Sequence, residues 1–284
     1  MMLIDRKMIE KSKKYPFDIP NYSYVFVNGG VLKLIEFNPN SLMDCTIQVD
    51  NERQKLRSYL YLKKVDLDLN FSDCHLVLAY GSNASFKQLQ RKFSSFNGDV
   101  MIPVIKACLF DFDIVYSAHF SPYGSIPATL QYSPETMVET FTIYLTDSQL
   151  NYMHETEKLG VNYTFGKLSD IRLVLENGMI LHEAFSYLSL HGCLFIKSHI
   201  ALSAITAKNR IFPQMDEIEV LTLVKDIMEK NKDLDTFIIE NIKNPEIREK
   251  RIKKLKLMSR KFLYEHWEVR VGGECYEQVF CIAN

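Results

Sequence analysis

The 284-residue chain lacks most of the features that classify a protein at sight. No apolar run approaches the roughly 18 to 20 residues needed to span a bilayer as a helix. The start, Met1-Met2-Leu3-Ile4-Asp5-Arg6-Lys7, is too short and too charged for a secretory signal, so a cytoplasmic protein is expected. Charge of one sign is missing too: 34 Lys and Arg stand against 35 Asp and Glu, a net charge of −1. That balance offers no electrostatic case for nucleic acid across the whole chain. Cys45, Cys74, Cys108, Cys193, Cys275 and Cys281 form no Cys-x-x-Cys pair and read as reduced thiols, neither a disulfide frame nor a zinc site. The histidines His75, His119, His154, His182, His191, His199 and His266 show no i,i+4 pairing or carboxylate triad, so no metal and no cofactor is expected. There is no Gly-x-Ser-x-Gly elbow, no internal repeat and no low-complexity tract.

What is present is enough apolar residue for a packed core, 47% of the chain, and one abrupt break in it. Leu76-Val77-Leu78-Ala79 reads as a strand buried on both faces, and it runs straight into Tyr80-Gly81-Ser82-Asn83. Gly81 permits positive φ and close approach of a ligand, and Ser82 and Asn83 suit a turn or a helix cap. Phe86, Leu89 and Phe93 then follow at helical spacing, so Tyr80 to Asn83 is predicted at a strand-to-helix junction. Unpaired backbone N–H groups there can hold a carboxylate or a developing oxyanion. An ordinary glycine turn is the plainer alternative.

Downstream, Leu150, Met153 and Glu157 share one face of a predicted helix that Thr146 or Asp147 caps, and Gly160 ends the turn before Val161-Asn162-Tyr163. A carboxylate at the end of a short helix can be aimed inward. Glu157 and Glu155 both remain open for that role, the helical face favouring Glu157. A solvated helix end is the ordinary fate of such a residue.

Tyr80-Gly81-Ser82-Asn83, followed by Glu157 with Gly160 and Tyr163 beyond it, resembles the gamma-glutamylcyclotransferase-like family, with its YGSN-type loop and a catalytic Glu in a Leu-Asp-x-x-Glu-Gly context. Phe110 to Ser117, Gly124-Ser125-Ile126-Pro127-Ala128-Thr129-Leu130 and a hairpin pivoting on Asn177-Gly178 are similar to further family segments. The resemblance covers roughly residues 74 to 190. The chain departs from the pattern at Met153-His154, where the family has Leu-Asp, at Lys158-Leu159, which separate Glu157 from Gly160, and at Ala84, where Leu or Met is usual.

The resemblance implies a small α+β protein, a mixed, barrel-like β-sheet with helices around it, that cyclises a gamma-glutamyl amino acid or gamma-glutamyl amine to 5-oxoproline. It implies Glu157 as general acid/base, and Tyr80, Gly81, Ser82, Asn83 and Tyr163 as substrate-binding residues. A single carboxylate suffices for that chemistry, because nucleophile and electrophile lie on one molecule. His154, beside Glu157, is expected on the helix surface, and Tyr187 in a strand. The alternative is a non-catalytic binding or interaction protein that kept the pocket.

Residues 1–70 read as a β-rich N-terminal extension, with Asn28-Gly29-Gly30 turning a hairpin between Tyr24–Val27 and Val31–Phe37 and a half-exposed strand alternating around Leu67 and Leu69. Residues 71–212 form the core. Residues 213–284 read as a helical extension: one helix capped by Asp216 with an Ile218, Leu221, Val224, Met228 stripe, a second through Leu234, Ile238 and Ile242, and a third running from Ile247 to Phe262. The third is unusually basic, with Arg248, Lys250, Arg251, Lys253, Lys254 and Lys256 among its residues. A solvated face over a buried stripe is its simplest reading, with an acidic partner, RNA or a membrane surface as alternatives. His266 to Val271 alternates like a closing strand. A protein partner is expected, if anywhere, on one of the extensions.

Overall fold

The computed structural model describes residues 3–65, 67 and 69–272. The helices are α1 (Leu3–Lys13), α2 (Leu56–Lys63), α3 (Phe86–Phe93), α4 (Asp147–Glu157), α5 (Glu217–Glu229), α6 (Leu234–Lys243) and α7 (Pro245–Leu257). The principal strands are β1 (Tyr24–Val27), β2 (Gly30–Glu36), β3 (Thr46–Val49), β4 (Glu52–Lys55), β5 (His75–Ala79), β6 (Met101–Tyr116), β7 (Ala128–Leu145), β8 (Tyr163–Leu175) and β9 (Ile180–Ser189).

Five of them close on themselves. β7 pairs β5, β5 pairs β9 in parallel, β9 pairs β8, β8 pairs β6, and β6 returns to β7. The expected α+β architecture with a barrel-like sheet is therefore what the chain adopts. Closure removes the free edges that an open sheet would expose. β6 and β7 are long enough, at 16 and 18 residues, to leave the ring and form a hairpin whose register shifts between Phe110 and Phe112, where Asp111 takes φ +64°.

β5 shows why the ring is stable. Its side chains alternate: Val77 and Ala79 pack with Leu89, Phe93, Leu150 and Met153 of α3 and α4, whereas Leu78 belongs to the other core, with Ile105, Leu168 and Leu188. The strand is thus buried on both faces, as its unbroken apolar run predicts. Each fully buried large side chain contributes about 1.5–3 kcal/mol.

The N-terminal segment is built into the same sheet. β1 hydrogen-bonds β6 from Tyr24↔Val104 to Val27↔Met101. The β1–β2 turn is the one the Asn-Gly pair predicts, with φ +46° at Asn28 and +85° at Gly29. Helices α1 and α2 were not expected in this segment; the amphipathic spacing of Ile9 and Ser12 in α1 and of Leu56 and Leu60 in α2, all buried, accounts for them. No strand forms around Leu67 and Leu69, and Asp66 and Asp68 lie outside the described residues. So do Cys275 and Cys281; Cys45, Cys74, Cys108 and Cys193 are free thiols.

In the C-terminal segment Asp216 caps α5 through a capping box with Glu219, as expected. The buried stripe is shifted from the expected one. Leu221 and Val224 are buried, but Ile218 is 45% exposed and Glu217 and Val220 face inward. Helix α7 ends at Leu257, so Met258 and Phe262 lie beyond it. Its basic density is partly structural. Arg251 is buried and donates to Glu229 Oε1 (2.8 Å), to the Asn241 side chain (2.8 Å) and to the Phe237 carbonyl (3.0 Å), while Arg248 donates to the Asn241 carbonyl of α6 (2.6 Å). Trp267–Val271 pairs β8 as the closing strand. Among the described residues no helix is long and apolar enough to cross a membrane.

Candidate active site

The end of the barrel where β5 and β9 finish and β8 begins carries the site. Register puts Tyr163 opposite Ser189, and β5 runs beside β9 with Val77 opposite Phe185. β5 opens there into a 3-10 turn, Ser82–Ala84, and then α3, the junction expected from the sequence. The turn's first bond joins Ala84 N–H to the Gly81 carbonyl at 3.2 Å, which leaves the N–H groups of Ser82 and Asn83 outside its own pattern. Tyr24 Oη, from β1, donates to the Ala84 carbonyl at 2.9 Å and anchors the turn from below.

Gly81 serves by being small. Its φ is −124°, so the positive φ that a glycine permits is not used here. A Cβ there would stand 2.8 Å from Tyr15 Oη and 3.4 Å from Ala128 Cβ. The Tyr15 hydroxyl cannot easily withdraw, because Tyr15 is buried and accepts the Ala128 N–H at 2.7 Å. Gly81→Ala is therefore expected to cost about 1–3 kcal/mol as an overpacking change. Urea unfolding checks this: an unchanged midpoint would mean the loop shifts freely.

Helix α4 aims the carboxylate. Thr146 caps it through a capping box with Gln149, Leu150 and Met153 are buried, and Glu157, one turn beyond Met153, is the last residue before Lys158 turns left-handed at φ +53°. Glu155 is exposed, so Glu157 is the inward residue of the two. Asn83 Nδ2 donates to Glu157 Oε1 at 2.7 Å, and Lys92 Nζ of α3 donates to the same oxygen. Lys92 also lies 3.4 Å from Met153 Sδ. The side chains of Lys92 and Glu157 are only 6% and 11% exposed. A carboxylate at a helix C-terminus meets the negative end of the helix dipole, and the ammonium offsets that. With both bonds on Oε1, Oε2 is the oxygen available to a ligand.

Glu157 lines a cavity of about 230 Å³ together with Ser82, Tyr163, His119, Tyr123 and Arg91. A narrower recess of about 40 Å³ continues inward between Glu157 and the loop, reaching Gly81, Asn83, Ala128 and Tyr187. The expected residues Tyr80, Gly81, Ser82, Asn83, Tyr163 and Glu157 all line this recess. The Tyr80 hydroxyl donates to the Tyr187 carbonyl within the sheet. Burial holds the phenols of Tyr15 and Tyr163 well above their ordinary range and lifts that of Tyr123 to about 12, so they remain neutral hydroxyls. His154 is half-buried, not a surface residue: its Nδ1 meets the Tyr187 hydroxyl at 2.8 Å, and burial lowers its proton affinity. His119 stacks on His191 with ring centroids 4.5 Å apart, and burial keeps it neutral too. Among the described residues no group of three or more His, Cys, Asp or Glu is placed to hold a metal ion.

Sequence reading missed four participants. Tyr15 comes from far upstream, Lys92 from the polar side of α3, Tyr187 from β9, and Glu217 from the first turn of α5. Glu217 is 2% exposed and accepts the Ile126 N–H at 2.7 Å, holding the segment that leads to Ala128. Its Oε2 is buried without a partner. Burial raises its proton affinity well above the ordinary carboxyl range, so the folded protein keeps a proton that the unfolded chain releases. Stability from this group is greatest below the unfolded pKa and falls as pH rises above it, by at most about 1.4 kcal/mol per pH unit. Glu217→Gln should flatten that decline and melt higher than the parent at pH 8. Parallel melting-versus-pH curves would refute this.

No protein-family model and no curated protein matches the chain. Solved structures do. One described as gamma-glutamyl cyclotransferase matches at 16% identity and a TM-score of 0.33, over 68% of this chain and 91% of its own. An uncharacterized Homo sapiens protein matches at 16% identity and a TM-score of 0.35, over 68% of this chain and 93% of its own. Bacillus subtilis YkqA matches at 13% identity and a TM-score of 0.33, over 83% of this chain and 72% of its own. The likeness to these structures is one of fold.

Proposed function

We propose that the chain is a gamma-glutamylcyclotransferase-type enzyme that converts a gamma-glutamyl amino acid or gamma-glutamyl amine to 5-oxoproline. The observation that carries the reading is the meeting of Glu157 with the Tyr80–Asn83 loop: Asn83 grips one carboxylate oxygen at 2.7 Å inside a cavity that the loop itself lines. Glu157 Oε2 takes the proton from the donor's α-amino group, whose nitrogen then attacks the γ-carbonyl carbon. The N–H groups of Ser82 and Asn83 stand ready for the oxyanion. When the C–N bond to the leaving group breaks, the electron pair stays on the departing nitrogen, and Glu157 returns the proton to it. Neutral hydroxyls of Tyr15 and Tyr163 supply donors around the donor molecule without adding charge.

One observation favours a second reading, a binding protein that retains the pocket. The Glu157 carboxylate is already matched by the Lys92 ammonium. Purified protein incubated with a panel of gamma-glutamyl amino acids and amines and assayed for 5-oxoproline separates the two. Turnover of at least one donor is the expected result; saturable binding of 5-oxoproline with no product from any donor would favour the binder.

A further inference from the structure

We propose that the leaving group of the donor is an anionic chain, an acidic peptide whose carboxylates lie along a cationic groove between α1 and α3. The proposal rests on the cyclisation reading for its chemistry and on a separate surface for its recognition. That surface is a groove of about 400 Å³ in which Lys7, Lys11, Lys14, Lys87 and Arg91 face only two acids, Glu10 and Asp18. The chain as a whole carries a net charge of −1, so this is a local concentration of positive charge. Lys7, Lys11 and Lys14 follow one another at four and three residues, which puts them on one face of α1 and its following turn. Like charges at that spacing work against the helix, and an anion laid along the face relieves them.

The groove and the Glu157 cavity share a wall. Arg91 lines both. Tyr123 lines the cavity on one side, and on the other Lys11 Nζ lies 5.6 Å from its ring centroid. Burial and the nearby Arg91 charge together lower the proton affinity of Lys11, as crowded cations do. A molecule held at Glu157 and extending outward passes between Arg91 and Tyr123 into the groove.

The two acids do not block it. Glu10 is engaged by Arg6 at 3.2 Å along α1, and Asp18 pairs with Lys87 at 2.9 Å across an exposed rim, where a ligand carboxylate can exchange with it. An acidic peptide fits better than a nucleic acid. Phe17, the aromatic of the groove, has Lys11 Nζ 6.0 Å from its ring centroid, so its face is not open for base stacking. In the reaction the lactam N–C bond forms, the amide C–N bond to the peptide breaks, and the peptide leaves intact with the returned proton on its freed amino nitrogen.

The test compares two donors on the full chain: gamma-glutamyl-triglutamate, and gamma-glutamylalanine amide, whose leaving group is neutral. The first should show a KM at least tenfold lower at low salt. That advantage should shrink as the Debye length falls from about 10 Å at 0.1 M salt to about 3 Å at 1 M. Lys7→Glu with Lys14→Glu should cut the ratio of kcat/KM between the two donors at least tenfold. The milder Lys7→Ala with Lys14→Ala pair, which favours the helix, should cut it in the same direction. An unchanged ratio in both variants, or a ratio insensitive to salt, overturns the proposal. If no donor yields 5-oxoproline, the cyclisation reading fails, and fluorescence anisotropy of a labelled tetraglutamate still decides on the groove. Saturable, salt-sensitive binding lost in Lys7→Glu/Lys14→Glu supports it. No binding, or tighter binding of a single-stranded RNA probe, overturns it.

Discussion

On the proposed cyclisation, Glu157→Gln is expected to lower 5-oxoproline release by roughly 10²- to 10⁴-fold, the usual loss when a positioned acid/base group is removed. The substitution keeps the shape of the side chain and a carbonyl oxygen that Asn83 can still donate to, but the amide has no proton-accepting oxygen of comparable basicity. The proton on the donor's α-ammonium then has no route to the leaving nitrogen. The fall should appear in kcat as well as in kcat/KM, because proton transfer is made in the transition state and not in the bound ground state. Coupled assay of 5-oxoproline under single-turnover conditions reads this directly. Activity within tenfold of the parent would remove Glu157 from the mechanism.

The same residue has a second, structural consequence. Lys92 and Glu157 are 6% and 11% exposed, so replacing either one leaves the other charge buried without its partner. Breaking a buried pair from one side costs about 3–5 kcal/mol, whereas replacing both members with apolar residues of similar volume is often neutral or stabilising. Lys92→Met and Glu157→Leu are therefore each expected to lose about that much in urea unfolding. The double variant should recover most of the loss while remaining inactive. Losses that simply add in the double variant would mean the pair is effectively solvated and contributes little. Urea unfolding of Glu157→Gln beside these variants separates lost folded protein from lost chemistry.

The features legible in the sequence share one property: each is set by residues close together along the chain. The apolar run of β5 and its break at Tyr80-Gly81 placed a strand and a turn. Thr146 or Asp147 ahead of an apolar helical face placed the start of α4, and the structure assigns the cap to Thr146. Asn28-Gly29 placed a hairpin turn. Where local spacing allows two answers the reading stayed open, and Glu157 over Glu155 was settled only by which side of α4 meets the barrel. Local rules also misjudged several positions. Glycine permits positive φ, but Gly81 does not use it and is needed for space against Tyr15. Ile218 fitted an apolar stripe, yet α5 buries Glu217 because Ile126 presents it with an N–H. His154 fits a helix surface by spacing, yet its Nδ1 meets the Tyr187 hydroxyl.

By itself the sequence determined the short-range grammar of this protein: its strands and caps, the amide-rich bend after β5, and the carboxylate at the end of a capped helix. Tertiary structure alone decided which distant groups answer them: Lys92 for Glu157, Tyr15 against Gly81 and under Ala128, Glu217 behind the approach to Ala128, and five cations gathered around one groove. The physical reason is that backbone geometry and helical or pleated periodicity act over a few residues, whereas the burial of a charge or a hydroxyl depends on partners many tens of residues away. Closure of the barrel brings those partners together, and no spacing within a single segment records it.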